Sequence, residues 1–322
     1  MCSSDLARHL AVALLAAFAT QAAAQTWPAR PIRIVVPFPP GGSTDLIARR
    51  IADKFQPSLG QPVVVENKPG AGGAVGSEAV AKAAADGYTL GMGVTGSHAV
   101  SLSLNPSLPY HPLKDFEPIS LVVSAPLTIL VNPSVPAKTV KELVALGQPL
   151  SHGTPGPGTS MHLTAEMFNL AAGTKFVHVP YKGTAGALND LIGGQIQMMF
   201  GDFLITLPHV KAGKLRALAV TSGKRSGVAP ELPTVAEAGV PGYVVTGWYG
   251  MFVPAATPPA IINTLNSHAV RALRSKDVSD RLTNEAAEIV AGTPAQFAEF
   301  QKAEIAKWAA VVRKAAIKPE NF

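Results

Sequence analysis

The sequence predicts an α/β protein of two doubly wound domains, and three observations predict it. The first is residues 32–47, where β-branched residues lead to Pro37, Pro39-Pro40-Gly41-Gly42 stop the strand, and Ile47, Ala48, Ile51, Ala52 and Phe55 recur at helical spacing. The second is the return of this strand, glycine turn and helix at residues 150–163. The third is a pair of apolar extended stretches, 119–131 and 243–254, suited to carry the chain from one domain to the other and back.

Taken in order, a helix is expected from about Thr44 to Gly60, followed by a parallel strand at 62–67 and a glycine-rich exit, Lys68 to Gly73. An alanine-rich helix over 74–86 and a strand over 88–95 complete the first winding, and Gly96-Ser97-His98 leaves that strand at the edge where open α/β sheets bind ligands. A proline-rich loop precedes the first crossing, and Thr139 with Glu142 forms a capping box for a short helix. In the second domain Pro155-Gly156-Pro157-Gly158 follows the strand and Thr159-Ser160 caps a helix carrying Leu163, Met167 and Leu170. Strand 175–181 then leads through Lys182-Gly183-Thr184 into a helix, strand 195–200 delivers Gly201-Asp202 to the same edge, and 215–221 is a further strand. Thr234 and Glu237 form another capping box, and two helices end the chain, one with Ile262, Leu265, Ala269 and Leu273 on a face, the other opened by Thr293-Pro294 and Gln296. The expected division is 25–123 with 247–322 as domain 1 and 124–246 as domain 2.

Residues 1–24 read as a secretory signal, an apolar run closed by Ala22-Ala23-Ala24, so the chain is expected to be exported. The single cysteine, Cys2, falls inside that segment, which removes disulfides, thiol nucleophiles and thiolate metal sites from the mature chain. A net charge of +6 is dispersed, densest around Lys211, Lys214, Arg216, Lys224 and Arg225 without a continuous basic tract, and no nucleic-acid partner is expected.

Glycine turns and helix N-termini at one sheet edge of each domain make a cleft lined by unpaired N–H groups, which suits a carboxylate held without charged side chains. Ser43 or Thr44 reads as the first N-cap, and Asp45 and Asp202 fit either a dipole, cap or hinge role or a ligand contact. No nucleotide loop, H-E-x-x-H or G-x-S-x-G is present, and the eight histidines contain no helical pair. No metal, cofactor or catalytic residue is expected. Trp248 and Tyr249, between Gly247 and Gly250, fit core packing and a ligand platform equally well.

The segments Phe38 to Asp45, Gly153 to Leu163, Val179 to Gly183, Leu232 to Gly239 and Gly247 to Gly250, in that order, resemble the Bug-type substrate-binding proteins of tripartite tricarboxylate transporters. The resemblance implies a periplasmic-binding-protein (Venus flytrap) architecture and a monomeric periplasmic receptor that closes on a small carboxylate and hands it to membrane permease subunits. Carried over by motif, it names Phe38, Gly42, Ser43, Thr44 and Asp45 on one wall and Gly158, Thr159, Ser160 and His162 on the other, with Ser97, His98, Tyr181, Lys182, Gly183 and Asp202 as further ligand-binding candidates. The competing readings are a cleft hydrolase or transferase acting on a carboxylate, and a receptor that feeds a sensor partner.

Overall fold

The computed structural model describes residues 27–314 and residue 317. The expected signal at 1–24 lies outside them. Strand β1 (Ile32–Val36) is followed by α1 (Ser43–Leu59), β2 (Val63–Asn67), α2 (Ala74–Ala81) and β3 (Thr89–Val94), with β2 and β3 parallel to β1 on either side. The five apolar residues of the helical pattern in α1 are all buried, and burial of such side chains contributes roughly 1.5–3 kcal/mol for each of the larger ones. The helix ends where Gly60 takes the left-handed conformation that a Cβ disfavours.

After β3 the chain turns through two short helical segments, Gly96–Val100 and α3 (Ser101–Leu104), before the 16-residue strand β4 (Phe116–Val131). That strand joins the two halves of the molecule. Phe116 to Pro126 pair antiparallel with β9 (Thr246–Pro254), which also pairs antiparallel with β3. Leu127 to Val131 pair instead with β7 (Met198–Asp202) and β8 (Arg216–Val220).

Between these strands lie α4 (Val140–Ala145), β5 (Ser151–Thr154), α5 (Ser160–Ala172), β6 (Val177–Pro180), α6 (Thr184–Ile192) and α7 (Phe203–Lys211), with β5 parallel to β6 and β7. The chain returns through β9 and ends with α8 (Pro259–Arg274), α9 (Lys276–Asn284), β10 (Glu288–Ile289) and α10 (Pro294–Lys314). Gly250 in β9 is small because Phe297 of α10 lies against it: a Cβ there would sit 2.1 Å from the ring. Trp248 and Trp308 both donate their indole N–H to the buried Glu304 carboxylate, at 3.1 and 3.2 Å, which ties β9 to α10.

Four local expectations change. The helix over 74–86 stops at Ala81, and the residues after it turn back toward β3, where Asp86 accepts the Tyr88 N–H and the Arg30 guanidinium. The Thr234–Glu237 capping bonds form, yet only one turn follows before Gly239, at φ +116°, and Pro241 end it. Leu170 faces solvent on α5, 58% exposed. Helix α9 was not anticipated, since Val278 and Leu282 are its only buried residues and too few to set a period.

Candidate functional site

At the carboxyl ends of β1, β5 and β7 the two halves meet around a cavity of about 40 Å³, room for only a few waters in the present arrangement. Four helices begin at its wall. Gly42 precedes α1, Thr159 precedes α5, Gly183 precedes α6 and Asp202 precedes α7. The first three supply no side-chain cap: two are glycines, and the Thr159 hydroxyl donates back to the Gly156 carbonyl at 2.7 Å. Their leading N–H groups are therefore free for a ligand, and the dipoles make those ends mildly positive. Ser43, Thr44, Ser160, Met161 and Thr184 bring the first turns of these helices into the lining. No lysine, arginine or histidine is among the lining residues.

Asp202 carries the one carboxylate in the wall and is buried. Ser43 donates to its Oδ1 at 2.6 Å and Tyr249 to its Oδ2 at 2.7 Å, so strand β7 of one half is held by two hydroxyls of the other. Burial raises its pKa above the usual aspartate value, while Ser43, Tyr249 and the N–H groups of Leu204 and Ile205 pull it back down. Burial and the Asp202 charge push the Tyr249 phenol well above its ordinary value, so it stays a donor. The halves also touch where a Cβ at Gly183 would lie 2.6 Å from Pro39 Cδ and one at Gly96 would lie 3.0 Å from Thr159 Cα.

Of the residues named from the sequence, Phe38, Gly42, Ser43, Thr44, Thr159, Ser160 and Asp202 line this cavity. The others stand behind or beside it. Asp45 accepts from the Gly41 N–H, Arg49 and Asn67, and its pKa is lowered: burial raises it, but these hydrogen bonds outweigh burial. Ser97 and His98 lie on the helical turn after β3, where the Ser97 hydroxyl meets the His98 Nδ1 at 2.9 Å and the imidazole stacks on Phe252 at 4.3 Å. Burial there lowers the His98 pKa to about 3.

Gly158, at φ +69°, donates its N–H to His162 Nδ1 at 3.3 Å, the His162 ring stacks on His178 at 4.1 Å, and the His178 ring also stacks on His152 at 5.2 Å. The three imidazoles back the second glycine turn; burial first, then the neighbouring rings for His152 and His162, lowers them to about 3 for His152 and about 4 for His162 and His178. Tyr181 donates to Asp190 at 2.6 Å. With Lys182 it lines an adjoining opening of about 240 Å³, next to Phe38 and the turn Gly70 to Gly73. Gly183 is the N-cap of α6 and the point where Pro39 rests.

Pro39, Val94, Ala125, Leu127, Pro155, Met161 and Thr184 also line the cavity without having been singled out. The motif Gly183-Thr184 could have pointed to Thr184, a helix start like Ser43 and Ser160. Val94, Ala125 and Leu127 carried no signal that separates them from ordinary core strand residues. Trp248 and Tyr249 are both things at once: buried, and part of the cavity wall.

The profile of the "Tripartite tricarboxylate transporter family receptor" matches residues 47–317. The chain is 42% identical over 308 residues to Protein BugT of Bordetella pertussis, covering 94% of each. It is similar to the structure of the periplasmic binding protein BugD, at TM-score 0.88 and 36% identity over 91% of this chain and 100% of that one. An R. palustris protein solved with adipate matches at TM-score 0.89 and 36% identity, over 91% of this chain and 100% of that one. The fold is thus the α/β periplasmic-binding-protein fold expected from the sequence, and these relatives are transport receptors rather than enzymes. By profile, sequence and structure together, the chain belongs to the solute-receptor family of the tripartite tricarboxylate transporters.

Proposed function

We propose that this receptor works in the periplasm, closes its two halves on a small carboxylate and hands it to the membrane permease subunits of a tripartite tricarboxylate-type transporter. The observation that carries this reading is the meeting of three uncapped helix N-termini at one buried cavity that has no cationic side chain. Such donors hold an anion by direct or water-mediated hydrogen bonds and release it more readily than an arginine clamp would. The adipate-bound relative supports a carboxylate as the ligand. In this reading residues 25–123 with 247–322 move against 124–246, the crossings being β4 near Pro126 and β9 near Thr246, and residues 1–24 serve as the export signal. The absence, among the described residues, of a helix long and apolar enough to cross a membrane fits a receptor that works beside a separate permease.

A melting panel of mono-, di-, tri- and aromatic carboxylates tests it. At about 100 times the dissociation constant a bound acid adds about 2.7 kcal/mol of stability, which raises the melting temperature by a few degrees. At least one acid should do so and be recovered chemically unchanged. No shift with any acid, or turnover of one that binds, would contradict the reading.

A further inference from the structure

Resting on the closing-receptor reading above, we propose that a groove behind the crossing strands is a second control surface of the receptor: its width is coupled inversely to that of the cavity, and a side chain wedged into it raises ligand affinity without touching the ligand. The placement follows from strand alternation, since successive side chains of a strand point to opposite faces. In β4, Ala125 and Leu127 line the cavity, whereas Ser124 and Pro126 line a groove of about 1030 Å³ on the other face. Thr246, the partner of Pro126 in β9, lines that groove as well. Cavity and groove therefore stand back to back across the two strands by which the chain passes between its halves.

The walls of the groove come from different halves. One is residues 222–228, which follow β8; the other is drawn from residues 283–289, the end of α9 and the strand β10. Bending at the crossing strands that draws the cavity walls together must draw these walls apart, and reopening the cavity must narrow the groove. The present arrangement is the first of these, with the cavity at about 40 Å³ and the groove wide. Lys224 Nζ lies 3.6 Å from Glu288 across the groove, an attraction that resists widening and so resists closure. Two residues of the 222–228 wall are glycines, Gly223 and Gly227, and neither has a positive φ. A Cβ at Gly227 would meet nothing within 4 Å, and one at Gly223 would lie 3.6 Å from Val244, an ordinary contact. A large side chain at either fits while the groove is wide and obstructs it when it narrows.

The test is calorimetry on the wild type, Gly223→Trp, Gly227→Trp and Gly227→Ala, with adipate as the first probe and then the other acids of the melting panel. At least one tryptophan variant should bind the acid about fivefold or more tightly than the wild type, because obstructing the open form enlarges the binding-competent fraction. Its ligand-free radius of gyration should move toward that of the liganded wild type, while Gly227→Ala leaves both quantities unchanged. If tryptophan prevents folding, Lys224→Glu decides: repulsion from Glu288 should raise affinity about twofold at low salt, and adding Glu288→Lys should restore the wild-type value. Unchanged or weaker binding in these variants, with a wild type that binds and compacts, overturns the groove's role and leaves the receptor reading intact. A wild type that binds no acid, or binds without compaction, overturns both.

Discussion

Gly183→Val is expected to lower ligand affinity by about 100-fold or more while the protein still folds. The backbone at this glycine is extended, at φ 176°, a conformation that any residue adopts, so the substitution does not strain the chain itself. The obstacle lies across the cleft. A Cβ would sit 2.6 Å from Cδ and 2.9 Å from Cγ of Pro39, which belongs to the other half. Valine removes the room that the closed arrangement needs and leaves an opened one untouched. A penalty of about 3 kcal/mol on closure reduces the binding-competent fraction, and hence the apparent affinity, about 100-fold. Gly42→Ala is the control for the same wall: the nearest atoms to its Cβ are 3.9 Å away, so alanine fits without displacing Pro39 or Thr184. Calorimetry with a bound acid, alongside melting of the ligand-free proteins, reads both. Wild-type affinity in Gly183→Val would mean that contact between the halves at this point is not required for binding.

The second large effect is acid lability. In an unfolded chain a histidine takes up its proton near pH 6.5, whereas burial holds His98 and His152 neutral down to about 3 and His162 and His178 down to about 4. Between those limits the unfolded state binds more protons, so stability falls as pH falls. The contribution of these groups is fully present above about pH 6.5 and is lost progressively below it. A depression of about 2.5 to 3.5 pKa units corresponds to about 3–5 kcal/mol per histidine. The three stacked rings titrate as a coupled set and together give less than the sum, but a loss of several kcal/mol by pH 4 is large beside a total of about 5–15 kcal/mol. Asp202, whose pKa is raised by burial, acts in the opposite sense and offsets part of the loss. Urea unfolding from pH 7 to 4.5 should show a steeply falling midpoint. His152→Phe should flatten that slope at little cost at neutral pH, because neither ring nitrogen of His152 has a partner to lose. A midpoint independent of pH over this range would contradict the buried neutral histidines.

Much of this architecture is legible in the residues because it depends on local rules. The β-branched run into Pro37, the glycines and the spacing from Ile47 to Phe55 specify β1, its turn and α1 without reference to anything distant. The Thr293, Pro294 and Gln296 signal likewise marks the start of α10, where the Gln296 side chain accepts the Thr293 N–H at 2.9 Å. What is not legible is set by partners far along the chain. Ser43 reads as a cap, yet its hydroxyl spans the two halves to reach Asp202. His98 reads as a residue leaving a strand at the ligand edge, but the helical turn after β3 carries its ring onto Phe252 and Phe116. Val94, Ala125 and Leu127 look like any apolar residue of a buried strand, and only the pairing of β4 with both β9 and β7, and of β9 with β3, brings them to one cavity. The histidine stack is invisible for the same reason, since β5, α5 and β6 each contribute one ring.

The central claim is that opposing helix ends trap an anion by closing on it, and small-angle scattering tests it most directly. The acid that gives the largest melting shift is compared with its neutral primary amide, each at saturating concentration. A ligand closes the protein only by binding the closed form better than the open one, and the free N–H groups of α1, α5 and α6 favour the anion over the amide. The acid should therefore reduce the radius of gyration while the amide leaves it at the ligand-free value. Equal compaction by both, or tight binding of the acid with no compaction, would contradict the closing anion trap.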